Sequence, residues 1–230
     1  MSRGLQPLAR TIFEGLSPSY DRVLDAATLL QDRYWKRWLL SEASIEGGER
    51  ILDVGCGTGV LEEGLQAGRG EVVGLDLTEE MIRLAQRKRV PSIDSLCLGD
   101  AERLPFADGS FDLLLSCYVV KYCSAPLLAS EAARVLRPGG RFVLYDFSRP
   151  RGAYAPFLAF YTYGVLRILG AVLRLVGARG AFTYEALPSV IQTRPWDDGF
   201  GGLLRSSGFR DVGMKRLSGG AATGFWGTRS

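Results

Sequence analysis

The sequence predicts an α/β fold, with a mostly parallel sheet covered by helices on both faces and an antiparallel hairpin at the C-terminal end. Three observations carry this expectation. Apolar strand-like runs alternate with helical stretches from Arg50 to Ser148, and that alternation builds a parallel sheet with right-handed crossovers. Short glycine turns separate the runs. The tail "GFRDVGMKRLSGGAATGFWGTR" reads as two strands joined by a glycine turn, a hairpin able to extend the sheet edge.

The elements follow in order. "RILDVG" is the first strand, followed by a helical stretch to Arg69, the strand "EVVGLDL" and a helix from Glu79 to Arg89. Next come the strands "SIDSLCLGD" and "SFDLLLSCYVV", a helical run ending "ASEAARVLRPGG", and the strand "RFVLYDFS". Aromatic-rich helix, "SYDRVLDAATLLQDRYWKRWLL", precedes this core, and the long segment 151–195 follows it. The expected organisation is one domain over 1–230: an N-terminal helical cap at 1–47, a ligand-binding core at 48–150, a lid or substrate segment at 151–195, and a C-terminal helix and hairpin at 196–230.

Composition narrows the function. The chain has 230 residues, 47% hydrophobic and 23% charged, enough to bury a core without disulfides or metal. A net charge of +3, with its basic residues spread along the chain, leaves no nucleic-acid footprint. Histidine is absent, which excludes a Ser-His-Asp hydrolase and removes the commonest transition-metal ligand. The four cysteines form no CxxC pair, so reduced thiols and a cytoplasmic location are expected. The N-terminus lacks the apolar core of a signal peptide. The uncharged stretch from Gly152 ends at Arg167, short of the roughly 18 residues expected of a membrane span.

The glycine turn points to a cofactor without phosphates. Gly55, Gly57 and Gly59 give GxGxG, where a dinucleotide turn reads GxGxxG, and no GK[ST] ending follows. Asp53, Asp76 and Asp100 fall at or near the ends of successive strands, so they line one rim. Carboxylates beside a glycine turn repel pyrophosphate and suit an ammonium or sulfonium. Asp76 stands where an acid accepts hydrogen bonds from ribose hydroxyls. Asp100, Ala101 and Glu102 offer a carboxylate to an adenine amino group and a backbone N–H to a ring nitrogen.

The runs "ILDVGCGTGVL", "VVGLDLTEEMI", "GDAERLPFADGSFDLLLS" and "EAARVLRPGGRFVLYDFSRP" resemble, in order, the motifs of class I S-adenosylmethionine-dependent methyltransferases. The resemblance implies a Rossmann-like seven-stranded fold, S-adenosyl-L-methionine as cofactor and S-adenosyl-L-homocysteine as product. It implies that Asp53 and the turn of Gly55, Cys56, Gly57 and Gly59 hold the methionine moiety. Leu77 and Cys117 complete the expected cofactor-binding set.

The flanks, "SYDRVLD" and "YWKRW" before the core and "DFSRP", "YTYGVL" and "LSGGAATGFWGTR" after it, resemble the menaquinone and ubiquinone C-methyltransferase family. That implies methylation of a ring carbon of a polyprenylated quinol, demethylmenaquinol first among the candidates. The same fold acting on another lipid or small molecule, or a non-catalytic cofactor-binding scaffold for quinone enzymes, remains as an alternative. The family's Arg-Asn pair after the fourth strand is replaced here by Val120-Lys121. Candidates for handling the acceptor's proton or oxyanion are Asp100, Asp146, Lys121 and the phenols Tyr20, Tyr118, Tyr122 and Tyr184. Lys121 reads equally as a solvated residue at a helix start, Tyr118 and Tyr122 as packing aromatics, and Asp21 as a helix cap. Arg167 and Arg174 share a helix face beside an apolar one, so 153–180 reads as a lid over an isoprenoid tail, as a peripheral membrane contact, or as a core-packing insertion. A homodimer is a further expectation.

Overall fold

A computed structural model describes residues 10, 21, 24, 25, 28, 30–68, 70–151, 155–175 and 195–230. Among them, β1 (Glu49–Val54), β2 (Gly70–Asp76), β3 (Ser95–Leu98), β4 (Phe111–Cys117), β5 (Leu136–Phe147), β6 (Phe209–Leu217) and β7 (Ala222–Arg229) form one seven-stranded sheet in the order β3-β2-β1-β4-β5-β7-β6. The first five strands are mutually parallel, while β7 runs antiparallel to both β5 and β6. The last strand therefore inserts inside the edge, and β6 becomes the edge strand.

Helices α1 (Gln31–Ala43), α2 (Glu79–Lys88), α3 (Ala125–Val135), α4 (Ala155–Leu175) and α5 (Phe200–Ser206) accompany the sheet. In α2, Glu79 and Glu80 open the helix and Arg87 and Lys88 close it, matching the signs of its dipole. Pro126 occupies the first turn of α3, where its missing N–H has no intrahelical acceptor. Successive strand residues point to opposite faces, so Ile51 joins a core with Trp35, Trp38, Leu39 and Tyr145, while Leu52 joins one with Leu128, Phe142 and Leu204.

One expected element is missing. The helical stretch from the glycine turn to Arg69 is replaced by turns and a single 3-10 turn, Glu62–Gly64, with Arg69 itself outside the described residues. The reason is tertiary. A Cβ on Gly64 would lie 2.7 Å from Leu40 Cδ1, so α1 occupies the space beside this segment. The strand expected at "RFVLYDFS" also starts earlier, at Leu136, with a register shift opposite Phe111 and Leu113.

In the 151–195 segment, α4 packs Leu169 and Leu173 against the first core. Phe157, Phe160, Ile168, Val172 and Leu175 are exposed on its other side. No helix among the described residues is long and apolar enough to cross a membrane.

The cap helix docks through a close approach of indole to backbone. A Cβ at Gly224 of β7 would stand 2.0 Å from Trp38 Cη2. Gly224→Ala should therefore lower unfolding stability by about 1–3 kcal/mol through overpacking, read as an earlier urea midpoint; an unchanged midpoint would show that Trp38 moves aside freely.

Candidate active site

The turn after β1 is held by its neighbours. Gly55 and Cys56 both donate their N–H to Leu75 O on β2, at 2.7 and 3.0 Å. Gly55 has φ +81°, and a Cβ there would come within 2.2 Å of Val119 Cγ2, so the backbone lies directly on the residues after β4. Gly57, at φ +55°, meets only Gly55 O at 4.0 Å and faces open space. Its N–H donates to Asp76 Oδ2 at 3.0 Å, while Thr78 N and Oγ1 each donate to Asp76 Oδ1 at 2.9 Å. Burial pushes the Asp76 carboxyl up, and these donors pull it back.

A cavity opens over this turn at the carboxyl edge of the sheet. Asp53, Gly55, Cys56 and Gly57 line it from β1, Asp76 and Leu77 from β2, Asp100 and Ala101 from beyond β3, and Cys117 and Tyr118 from β4. Asp21, Leu24 and Lys36 line it from the N-terminal segment. The donor set fits S-adenosylmethionine. Asp53 Oδ1 is buried without a donor among the described residues, the Asp76 carboxylate retains accepting capacity, and the turn carries no phosphate-binding cation. Asp53 with the turn would hold the methionine part, Asp76 the ribose, and Asp100 with Ala101 the adenine.

Toward β4 and β5 the cavity ends in a buried polar network. Asp32 on α1, 2% exposed, accepts from Lys36 Nζ and Tyr118 Oη at 2.5 Å each and from Tyr145 Oη at 3.0 Å. Tyr118 takes up a left-handed backbone, φ +62°, and packs its ring against Tyr145 and Phe147 with centroids 5.2 and 4.8 Å away. Burial, reinforced by the Asp32 charge, lifts the Tyr118 phenol well above its ordinary value. Its proton is already committed to Asp32, so Tyr118 is a poor base and a good orienting group.

The other sequence candidates divide. Tyr20 and Tyr184 lie outside the described residues. Asp21 reaches from the cap to the turn, accepting from Thr58 Oγ1 at 2.8 Å and pairing with Lys88 at 2.5 Å. Glu102 does not line the cavity; its carboxylate accepts from Ser124 N at 2.7 Å at the start of α3. Gly59 also lies off the cavity wall, where a Cβ would meet Ile93 and Val90 at 3.1 and 3.2 Å. Asp100 follows β3, at the opposite end of the parallel part of the sheet from β5, and lines the same cavity as Tyr118.

Lys121 is not on a solvated face. Its side chain is 1% exposed, pairs with the fully buried Asp146, and has its ammonium 4.7 Å from the Phe147 ring centroid. It lies behind the cavity wall and ties the segment after β4 to the end of β5. Sequence reasoning passed over Asp32, Lys36 and Tyr145 as site residues. The signal for the first two was an acid and a lysine four apart on a helix, flanked by Trp35 and Trp38.

Removing Lys121 strands a buried carboxylate with only the backbone N–H groups of Phe147 and residue 121 as donors. Lys121→Met should cost about 3–5 kcal/mol of stability in denaturant titration, part of it recovered by adding Asp146→Asn. Wild-type stability in the single variant would refute the structural role.

Comparison with known proteins places this geometry. The ubiE/COQ5 methyltransferase family matches over residues 5–229. The demethylmenaquinone methyltransferase of Beutenbergia cavernae is 35% identical over 210 residues, covering 91% of this chain and 85% of that protein. The ubiquinone/menaquinone biosynthesis C-methyltransferase UbiE of a Geobacter species is 33% identical over 229 residues, 96% of this chain and 95% of that one. Among solved structures, a SAM-dependent methyltransferase from Aquifex aeolicus aligns with a TM-score of 0.62 at 19% identity, over 94% of this chain and 100% of that chain. Phosphoethanolamine N-methyltransferase 2 of Haemonchus contortus, in complex with S-adenosyl-L-methionine, aligns with a TM-score of 0.59 at 15% identity, over 85% of this chain and 52% of that chain. The solved structures share the fold; the sequence matches, running nearly end to end, go further, and the chain belongs to the ubiE/COQ5 methyltransferase family.

Proposed function

We propose that this methyltransferase acts on a ring carbon of a polyprenylated quinol, demethylmenaquinol first, yielding menaquinol and S-adenosylhomocysteine. The observation that carries the proposal is that one cavity is lined both by the carboxylate-rimmed glycine turn and by Lys36 and Tyr118, which Asp32 holds from behind the wall. The names of the relatives point the same way.

When bound, S-adenosylmethionine supplies an electrophilic methyl group on a sulfonium. The acceptor's aryl hydroxyl would give its proton to water, the ring carbon would take the methyl group as the sulfur–methyl bond breaks, and the hydrogen of that ring carbon would then leave as a proton while the oxygen is reprotonated, restoring the aromatic quinol with one proton released overall. The protein's part is to stabilise the negative charge that develops on that oxygen. Lys36, lining the cavity and anchored by Asp32, is placed to do so, and Tyr118, whose proton goes to Asp32, keeps a lone pair to accept from the acceptor's hydroxyl before that proton leaves. Lys121 acts only through the wall it braces.

The apolar stripe of α4, with Arg167 and Arg174 alongside, supports contact with an anionic bilayer surface where such an acceptor dissolves. The Val120-Lys121 departure favours a second reading, the same chemistry on another apolar acceptor.

Asp76→Ala should weaken cofactor binding about ten- to a hundredfold, the loss of a charge-assisted hydrogen bond to a buried ribose together with the Gly57 contact. Unchanged affinity in calorimetry would remove Asp76 from the ribose. In a methyl-transfer assay with labelled cofactor, reduced demethylmenaquinone analogues should be methylated on the ring, faster with longer tails and with anionic vesicles present. Cofactor binding without methylation of any quinol would move the search to other acceptors, and no vesicle effect would count against the bilayer contact.

A further inference from the structure

Glu62 does not line the cavity, yet its position is costly. It lies in the 3-10 turn that replaces the expected helix, is 0% exposed, and neither carboxyl oxygen receives a donor among the described residues. Asp53, 2% exposed at the end of β1, has its Oδ1 in the same condition. The two carboxyl groups lie within hydrogen-bond reach of each other. Two ionised carboxylates there would lose solvation and repel, whereas one shared proton lets one oxygen donate and the other accept.

The surroundings do not supply another solution. Lys36 on α1 pulls both carboxyls down by its charge, but burial outweighs it, and its ammonium donates to Asp32 and to neither of the pair. Asp76 from β2 and Glu63 from the next position add negative charge, with Glu63 itself paired to Lys88 at 3.3 Å. Cys56, in the glycine turn, is neutral, its thiol pushed up by burial and by these same acids. Ser92 packs against the backbone, donating to Glu62 O at 2.5 Å. Burial raises Glu62 to about 7 and Asp53 well above its ordinary value, and the two titrate as a unit.

Asp53 also lines the cavity beside the turn where the methionine end of the cofactor belongs. A ligand amino group seated there brings a positive charge against the pair, and a cation favours the ionised form. We infer that Asp53 and Glu62 form a proton-sharing recognition element for the α-ammonium group of the cofactor, so that binding S-adenosylmethionine or S-adenosylhomocysteine releases a proton from the protein. Glu62 is then a positioning residue that acts through Asp53. The sign follows: the deprotonated pair binds the cation better, so affinity rises with pH through the upper step of the pair, by at most about tenfold per pH unit.

The test is calorimetry of the full chain with S-adenosylhomocysteine near neutral pH in buffers of different ionisation enthalpy. The observed enthalpy should vary with buffer, reporting fractional proton release, and affinity should climb between about pH 6 and about pH 8. Methylthioadenosine, which keeps the nucleoside and thioether but lacks the amino acid, should bind without release. Glu62→Gln can still donate to Asp53 while having no proton to lose, so it should bind with no release and a flatter pH profile. A buffer-independent enthalpy for wild type, equal release with methylthioadenosine, or release persisting in Glu62→Gln would each overturn the inference. The wild-type measurements decide alone if the variant does not fold. No quinol enters the experiment, so its outcome is separate from that of the acceptor proposed above.

Discussion

A carboxylate taken out of water must find donors, and in a chain without histidine those donors are lysine, arginine, tyrosine and backbone N–H groups. The carboxyl edge of this sheet is organised by that requirement. Asp32 draws on Lys36 and two tyrosines, and so joins the cap helix to β4 and β5. Asp146 draws on Lys121 and joins the end of β5 to the segment after β4. Asp197, 5% exposed before α5, draws on Arg216 of β6 and on Arg151 at 3.3 and 4.0 Å. The first two pairings join elements distant in sequence beside Tyr118 and Tyr122 of the cavity wall, which is therefore fixed by charge as well as by packing. Among the described residues Asp53 Oδ1 and both Glu62 carboxyl oxygens have no such donor, and they stand beside the turn where a cationic ligand would complete them.

The sheet and the glycine turn were legible in the sequence because their signals are local. Buried parallel strands read as apolar runs, and a positive-φ turn demands glycine where Val119 leaves no room for a Cβ. What was not legible depended on contacts between distant elements. The stretch after Gly59 looked helical, yet Leu40 on α1 decides its shape from some two dozen positions away. Lys121 read equally well as solvated or functional, since only the parallel pairing of Cys117 with Tyr145 brings Asp146 to it. Asp32 and Lys36 were visible as a helical pair, but Tyr118 and Tyr145, which make them a network, are contributed by strands that the pair's own sequence cannot specify.

The same burial would set the chemistry at the proposed acceptor end. Tyr118, Tyr145, Phe147 and Trp35 stack edge to face or tilted around Asp32, with centroid separations from 4.8 to 6.1 Å. In the proposed reaction the Lys36 ammonium, 14% exposed, would interact more strongly with the acceptor's oxyanion than it would in water, and the phenols are too weakly acidic to compete for that charge. Both effects fail if water enters. A polar acceptor would carry its hydration into the cavity, whereas one with a long apolar tail displaces water as it binds and leaves the network intact. The requirement for dryness at Lys36 and the apolar nature of the proposed acceptor are therefore one constraint, met from the protein side by aromatic packing and from the ligand side by the tail.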